Sequence, residues 1–140
     1  MPYRRAMSQP ADSRHGWLVG RLTGVPVYLG RSWPLVALAI VLFYGPQLAR
    51  QLPQGTAYAV AAAYALLLLV SVLVHEFGHA LAARAVGAPV HRIVVNLWGG
   101  HTTFGAADQR PGSQSFVAAA GPAGNVLLAG LGWLLQGSLT

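Results

Sequence analysis

The 140-residue sequence predicts an α-helical polytopic membrane protein, with about three transmembrane helices and short membrane-associated β segments before the first helix and after the second. Three observations lead there. Hydrophobic residues make up 54% of the chain and charged residues 9%, against roughly a quarter charged in soluble domains. Residues 56–74, TAYAVAAAYALLLLVSVLV, hold no charge at all. Five of the nine arginines, Arg4, Arg5, Arg14, Arg21 and Arg31, precede the first long apolar run, which is the pattern of a cytoplasmic anchor.

The elements follow in order. Residues 1–15 are polar, basic and without apolar periodicity, as in a flexible cytoplasmic tail. Residues 16–31, GWLVGRLTGVPVYLGR, mix glycine with β-branched and aromatic residues around Pro26, which suits an extended segment or edge hairpin at the membrane surface. The first span, WPLVALAIVLFYGPQLA at 33–49, places Trp33 at an interface and Pro34 in a first helical turn. It is short against the roughly 20 residues a span takes, and Gly45-Pro46 is expected to kink or end it. It begins too far from the amino terminus for a cleaved leader and is read as retained.

Residues 56–86 form the strongest helix, rich in Ala and Leu and free of Gly and Pro until Gly78, with Gly87 and Pro89 as its stop. At about 1.5 Å per residue it is about 45 Å long, more than the roughly 30 Å hydrocarbon core. It therefore tilts or protrudes. PVHRIVVNLWGGHTTFGA, 89–106, reads as a strand, a turn at Gly99-Gly100 and a second extended piece. A polar loop is expected at 107–114 and a third span at 116–136, with Pro122 marking a local break and Asn125 inside it. The membrane core is placed at 16–137. Arg50 alone lies between the first two spans, whereas Arg84 in the last turn of the second span, and Arg92 and Arg110 after it, flank the connection to the third. The amino terminus and the 88–115 connection are thus predicted to face the cytoplasm of a multi-pass cell-membrane protein.

Composition also removes classes of function. The net charge of +6 does not cluster on one motif or interleave with aromatics, so nucleic acid is not the expected partner. With no cysteine there is no disulfide, thiolate ligand or cysteine nucleophile. The partner expected from composition is the lipid bilayer; no oligomeric state follows from the sequence.

The chemistry sits in VLVHEFGHAL, residues 72–81. His75 and His79 are four apart, so on a helix they share a face and can offer two imidazole nitrogens to one tetrahedral zinc. Glu76, offset by about 100° of helical rotation, reaches a water there without being a ligand, the position of a general base. An ionisable group at mid-span costs about 2.5 to 3.5 kcal/mol on insertion scales, and three in five positions are not what an inert span accumulates. Asn125 is read two ways, as an amide donor to a developing oxyanion or as an interhelical hydrogen bond. Gly121 and Gly124 are expected to permit close helix packing. The strand at 93–98 either offers an edge to an unwound substrate or shields the site. Tyr64 and Ser71, on the face of His75, are read either as lining the cavity or, in preference, as packing. His101 is considered as an extra ligand or as a polar interface residue, and His15 and His91 as solvated.

The segment SVLVHEFGHALAARAVGAPV resembles the metal-binding helix of the site-2 protease family, the intramembrane zinc metalloproteases. GRLTGVPVYLGRSW, VNLWGGHTTF and AAAGPAGN resemble that family's stretch before the first span, its glycine-containing strand pair and the start of its next span. The subgroup with CBS domains is the nearest in kind, and no such domain is present here. The resemblance implies cleavage of transmembrane segments of regulatory membrane proteins, that is, regulated intramembrane proteolysis. It implies Zn2+ on His75 and His79, with Glu76 catalytic. The family's GPxxN pattern tilts Asn125 toward substrate or oxyanion support. The family draws its third ligand from an Asp-Gly motif on a later span, and this sequence has none. Asp108, the remaining acidic residue after Glu76, lies in a loop where the family varies. The expectation is that residues 1–140 stop before the ligand-bearing span and are inactive alone. The alternative is a non-catalytic, degenerate member that binds a partner helix.

Overall fold

The structure is a computed structural model describing residues 16–96, 98–105 and 110–140. The tail expected at 1–15, with His15, and Asp108 lie outside the described residues. The elements run β1 (Trp17–Leu22), β2 (Val25–Leu29), α1 (Trp33–Leu48), α2 (Gln54–Ala85), β3 (Val90–Asn96), β4 (Gly99–Phe104) and α3 (Pro111–Leu139).

Helix α2 is the axis of the molecule, and its 32 residues rise about 48 Å. Its end is chemically specified. Gly87 takes φ 83°, the left-handed conformation that costs glycine least. Its N–H donates to Arg84 O at 3.0 Å while that of Ala88 donates to Ala83 O at 2.9 Å, the paired closure of a Schellman stop. Helix α1 has 16 residues and rises about 24 Å, shorter than a bilayer core. Helices α2 and α3 are long and apolar enough to cross one. Only 17% of the most apolar window of α2 and 6% of that of α3 is buried, which a soluble core helix would not tolerate.

Helix α1 does not end at Gly45-Pro46 but runs on to Leu48, and the break expected at Pro122 is corrected, because α3 runs through it. Each proline forfeits one i→i−4 bond, but a helix flanked by other helices absorbs such a loss. The polar loop expected at 107–114 is also shorter, because α3 already begins at Pro111. Proline at a first helical position lacks only an N–H that would have no partner there.

The two hairpins join into one four-stranded sheet, order β1-β2-β3-β4, through parallel pairing of β2 with β3. The β1–β2 turn uses Thr23 at φ 50° and Gly24 at φ 82°, as a two-residue turn of the primed type requires. Arg84 at the end of α2 donates to Thr23 Oγ1 at 2.9 Å and Thr23 O at 2.8 Å, tying the hairpin to the helix. The sheet packs on α2 through Val25, Val27 and Ile93 against Ala80, with Leu73 and Phe77 beside them. Strand β3 is therefore interior, paired on both sides, and the reading of 93–98 as an edge is corrected. Among the described residues the edges are β1 and β4.

Candidate metal and base site

The site is built along a seam between α2 and α3. Ser71, His75 and His79 repeat every four residues on α2, and Val117, Gly121 and Asn125 do so on α3, so each set lines one helix face. The two rows meet head to tail. Ser71 Oγ lies 3.4 Å from Asn125 Oδ1, His75 Nδ1 is 3.2 Å from Asn125 Nδ2, and His79 Nδ1 is 2.7 Å from Val117 O. Gly121 lies between them, and a β-carbon added there would fall on His79 Nε2 and 2.8 Å from His75 Nε2. The expected close packing is present at Gly124, where an added carbon would meet Val74 O at 3.1 Å.

This geometry leaves both Nε2 atoms converging, 3.1 Å apart. Two nitrogens sharing a tetrahedral zinc at about 2.0–2.1 Å lie about 3.3 Å apart, so the imidazoles fit a zinc through Nε2. The carbonyl of Val117 can only accept, so His79 Nδ1 carries the proton and its Nε2 offers a lone pair. Ligation by His75 Nε2 likewise needs a proton on Nδ1. The Asn125 amide meets that need when its oxygen faces His75 and its NH2 faces Ser71, the reverse of the placement above. The two amide orientations are isosteric. Ser71 and Asn125 are thus tied to His75 orientation. Tyr64 packs edge-on against Tyr44 with ring centroids 5.7 Å apart, as expected.

Glu76 lies on a different face of α2, 5% exposed. Thr102 Oγ1 on β4 is 2.8 Å from Glu76 Oε2 and 3.0 Å from Glu76 O. Neither Thr102 nor the carbonyl of Val117 was singled out by sequence. The signal for Thr102 was available as the alternation Gly100, Thr102 on a strand, whereas a backbone carbonyl leaves no trace in residue identity.

His101 is exposed on β4, one residue off the phase of Thr102, and His91 is exposed on β3. No cluster of three or more His, Cys, Asp or Glu able to hold a metal occurs among the described residues. The described residues thus present two converging imidazole nitrogens and, on another face of α2, a carboxylate. A separate groove of about 680 Å³ between α2 and α3 is lined by Val74, Phe77, Gly78, Ala120, Gly124 and further apolar residues. None of Ser71, His75, Glu76, His79, Thr102 and Asn125 lines it, so it is not the reactive pocket.

Comparison with known proteins gives the family. Residues 63–139 match the family described as Peptidase family M50. The chain is 41% identical over 112 residues to "Putative zinc metalloprotease sll0528" of Synechocystis, covering 79% of this chain and 30% of that protein. It is 33% identical over 118 residues to "Putative zinc metalloprotease Rip3" of Mycobacterium tuberculosis, covering 79% of this chain and 29% of that protein. The chain therefore spans about 30% of the length of the curated relatives it matches. No solved structure matches it. A match over more than half of the chain, together with the histidine pair on an apolar helix, shows that the chain belongs to peptidase family M50, the site-2 protease family.

Proposed function

We propose that the chain carries the zinc-binding and base-bearing part of a membrane-embedded endopeptidase that cuts transmembrane segments of regulatory membrane proteins. The observation that carries this reading is the convergence of His75 and His79 Nε2 at 3.1 Å with both Nδ1 atoms engaged. Zinc held there would polarise a peptide carbonyl and lower the pKa of a water toward about 7. Around it the residues divide the work. Val117 O and Asn125 set the imidazole orientations, Glu76 takes a proton from the attacking water, and the surrounding apolar helices limit bulk solvent. The amide of Asn125 serves His75 in this arrangement; that contact favours orientation over oxyanion support.

The same reading places the protein in the cell membrane as a multi-pass chain, with α1 as a third, short span. The amino terminus and the 88–115 connection lie on the cytoplasmic side. The exposed apolar surface of α2 and α3 supports this membrane placement, and arginine distribution supports the orientation. Strand β4, an edge next to Glu76, is where an unwound substrate could add, in place of the interior β3.

The protein extended beyond residue 140, in lipid nanodiscs, should bind about one equivalent of zinc, lost in the double variant His75→Ala/His79→Ala, as removal of two members of a ligand set requires. Glu76→Gln should keep the metal and abolish cleavage of a transmembrane peptide by the protein. Zinc retained without both histidines, or cleavage that survives Glu76→Gln, would overturn the assignment. A second reading, a non-catalytic module that binds a partner helix, is favoured by one observation: the described residues bring no third ligand to the histidine pair. It predicts that a helical peptide is bound but never cut.

A further inference from the structure

We infer that strand β4 positions the carboxylate of Glu76, with the Thr102 hydroxyl as the holding group and Gly100 as the clearance that lets the strand reach it. The inference rests on the reading of Glu76 as general base and deepens it. It starts from the register of the sheet. Val27 pairs with Ile93 and Ile93 with Thr102, while Leu29 pairs with Val95 and Val95 with Gly100. Two rungs therefore run across three strands, and each ends on β4 at a residue beside Glu76. Their middle members, Ile93 and Val95, are fully buried, so the rungs are fixed by packing and β4 is held at a set distance from α2.

Gly100 makes the approach possible. A β-carbon there would lie 2.5 Å from Glu76 Cγ and 2.9 Å from Val72 Cγ1, well inside contact distance. Two residues on, the same strand face delivers Thr102, whose Oγ1 meets Glu76 Oε2 at 2.8 Å and Glu76 O at 3.0 Å. A hydroxyl has one proton, shared here between two oxygens of the same residue, so the contact restrains the side chain against its own backbone. Of the i±3 and i±4 neighbours of Glu76 on α2, Val72, Leu73 and Ala80 have no side-chain hydrogen to donate, and the Nδ1–H of His79 is taken by Val117 O. The strand supplies what the helix lacks. With Oε2 held, Oε1 is left to take the proton, and the carboxylate does not have to search rotamers in each turnover.

The experiment uses Thr102→Val and Thr102→Ser in the full protein in nanodiscs. Valine should leave zinc content and KM unchanged and lower kcat by about 10- to 100-fold, the usual loss when a supporting hydrogen bond is removed; serine should restore it. Glu76 is the single glutamate of residues 1–140, so 13C-glutamate introduced by cell-free synthesis into this 140-residue stretch reports this carboxyl group alone in isotope-edited infrared spectra. Its band should shift in Thr102→Val and return in Thr102→Ser, whether or not substrate is present. An unmoved band, or a valine variant with wild-type kcat, overturns the inference. A shifted band in a protein whose cleavage is indifferent to Glu76→Gln instead sinks the base assignment, and the positioning role with it, while the hydrogen bond stands.

Discussion

Replacing Gly121 by alanine should cost the protein its zinc, and the size of the effect follows from the seam between α2 and α3. A β-carbon at residue 121 would lie 2.6 Å from His79 Cε1, 2.8 Å from His75 Nε2, and closer still to His79 Nε2. Carbon atoms pack comfortably from about 3.5 Å, so the shortfall at Cε1 is about 0.9 Å, whereas ligand distances in a working metal site tolerate about 0.2 Å. Helix α3 cannot simply withdraw. One residue away on the same seam Gly78 is already against Ala120 O, and Gly124 leaves only 3.1 Å for a carbon beside Val74 O. The imidazoles must swing instead, and His79 then loses Val117 O or His75 loses Asn125. Zinc affinity, read by competition with a chromophoric chelator in nanodiscs, should fall by about 10- to 100-fold, as for loss of an orienting partner. Gly124→Ala is the matched control, since its added carbon meets Val74 O and Cγ1 and no imidazole; it should keep zinc and helix content by circular dichroism. Wild-type affinity in Gly121→Ala refutes the reasoning, and so does an equal loss in both variants.

Three further outcomes are expected. Asn125→Ala should weaken zinc by about 10-fold or more because His75 Nδ1 loses its partner, while Asn125→Asp, which keeps an acceptor oxygen, should weaken it less; equal affinities in the alanine variant and wild type would refute the orienting role. Arg84→Ala removes two hydrogen bonds to Thr23 and should speed amide hydrogen exchange across residues 17–29 with zinc content unchanged; unaltered exchange would show that the hairpin does not depend on the clamp. A reporter fused in the 88–115 connection should be read on the cytoplasmic side, and a signal from the outside face would reverse the orientation argued from the arginines.

Much of this arrangement is visible in residue order, and the reasons for the rest are specific. Helix α2 announces itself because an uncharged Ala/Leu run has one structural solution in lipid, and Gly87 closes it where a left-handed residue was needed. The sheet was harder. Residues 25–29 and 90–96 are brought together only by the helices between them, and nothing local in either hairpin encodes parallel pairing. One clue was present: Ile93, Val94 and Val95 are three consecutive buried residues, and an unbroken apolar run marks a strand covered on both faces, not an edge. Pro122 misled for the opposite reason, because proline rules drawn from helices in water overstate its effect where neighbouring helices hold the backbone in place.

The divided legibility of the site has a physical cause. Ligands that must share a metal lie on one face of one helix, so the spacing of His75 and His79 is a sequence signal. The atoms that orient them come from α3, and they act through what α3 presents at each turn. Val117 contributes a carbonyl, which every residue has; Gly121 contributes the absence of a side chain; only Asn125 contributes a recognisable group. Their spacing of four matches that of Ser71, His75 and His79, so the two rows can register only if α3 keeps its helical phase from 117 to 125. Pro122 lies inside that stretch, and because the helix continues through it, residues on both sides of the proline face the same pair of imidazoles. A break at Pro122 would separate Val117 from Asn125 and leave at most one histidine oriented. The continuity of α3 is therefore a condition of the imidazole geometry and not just of packing.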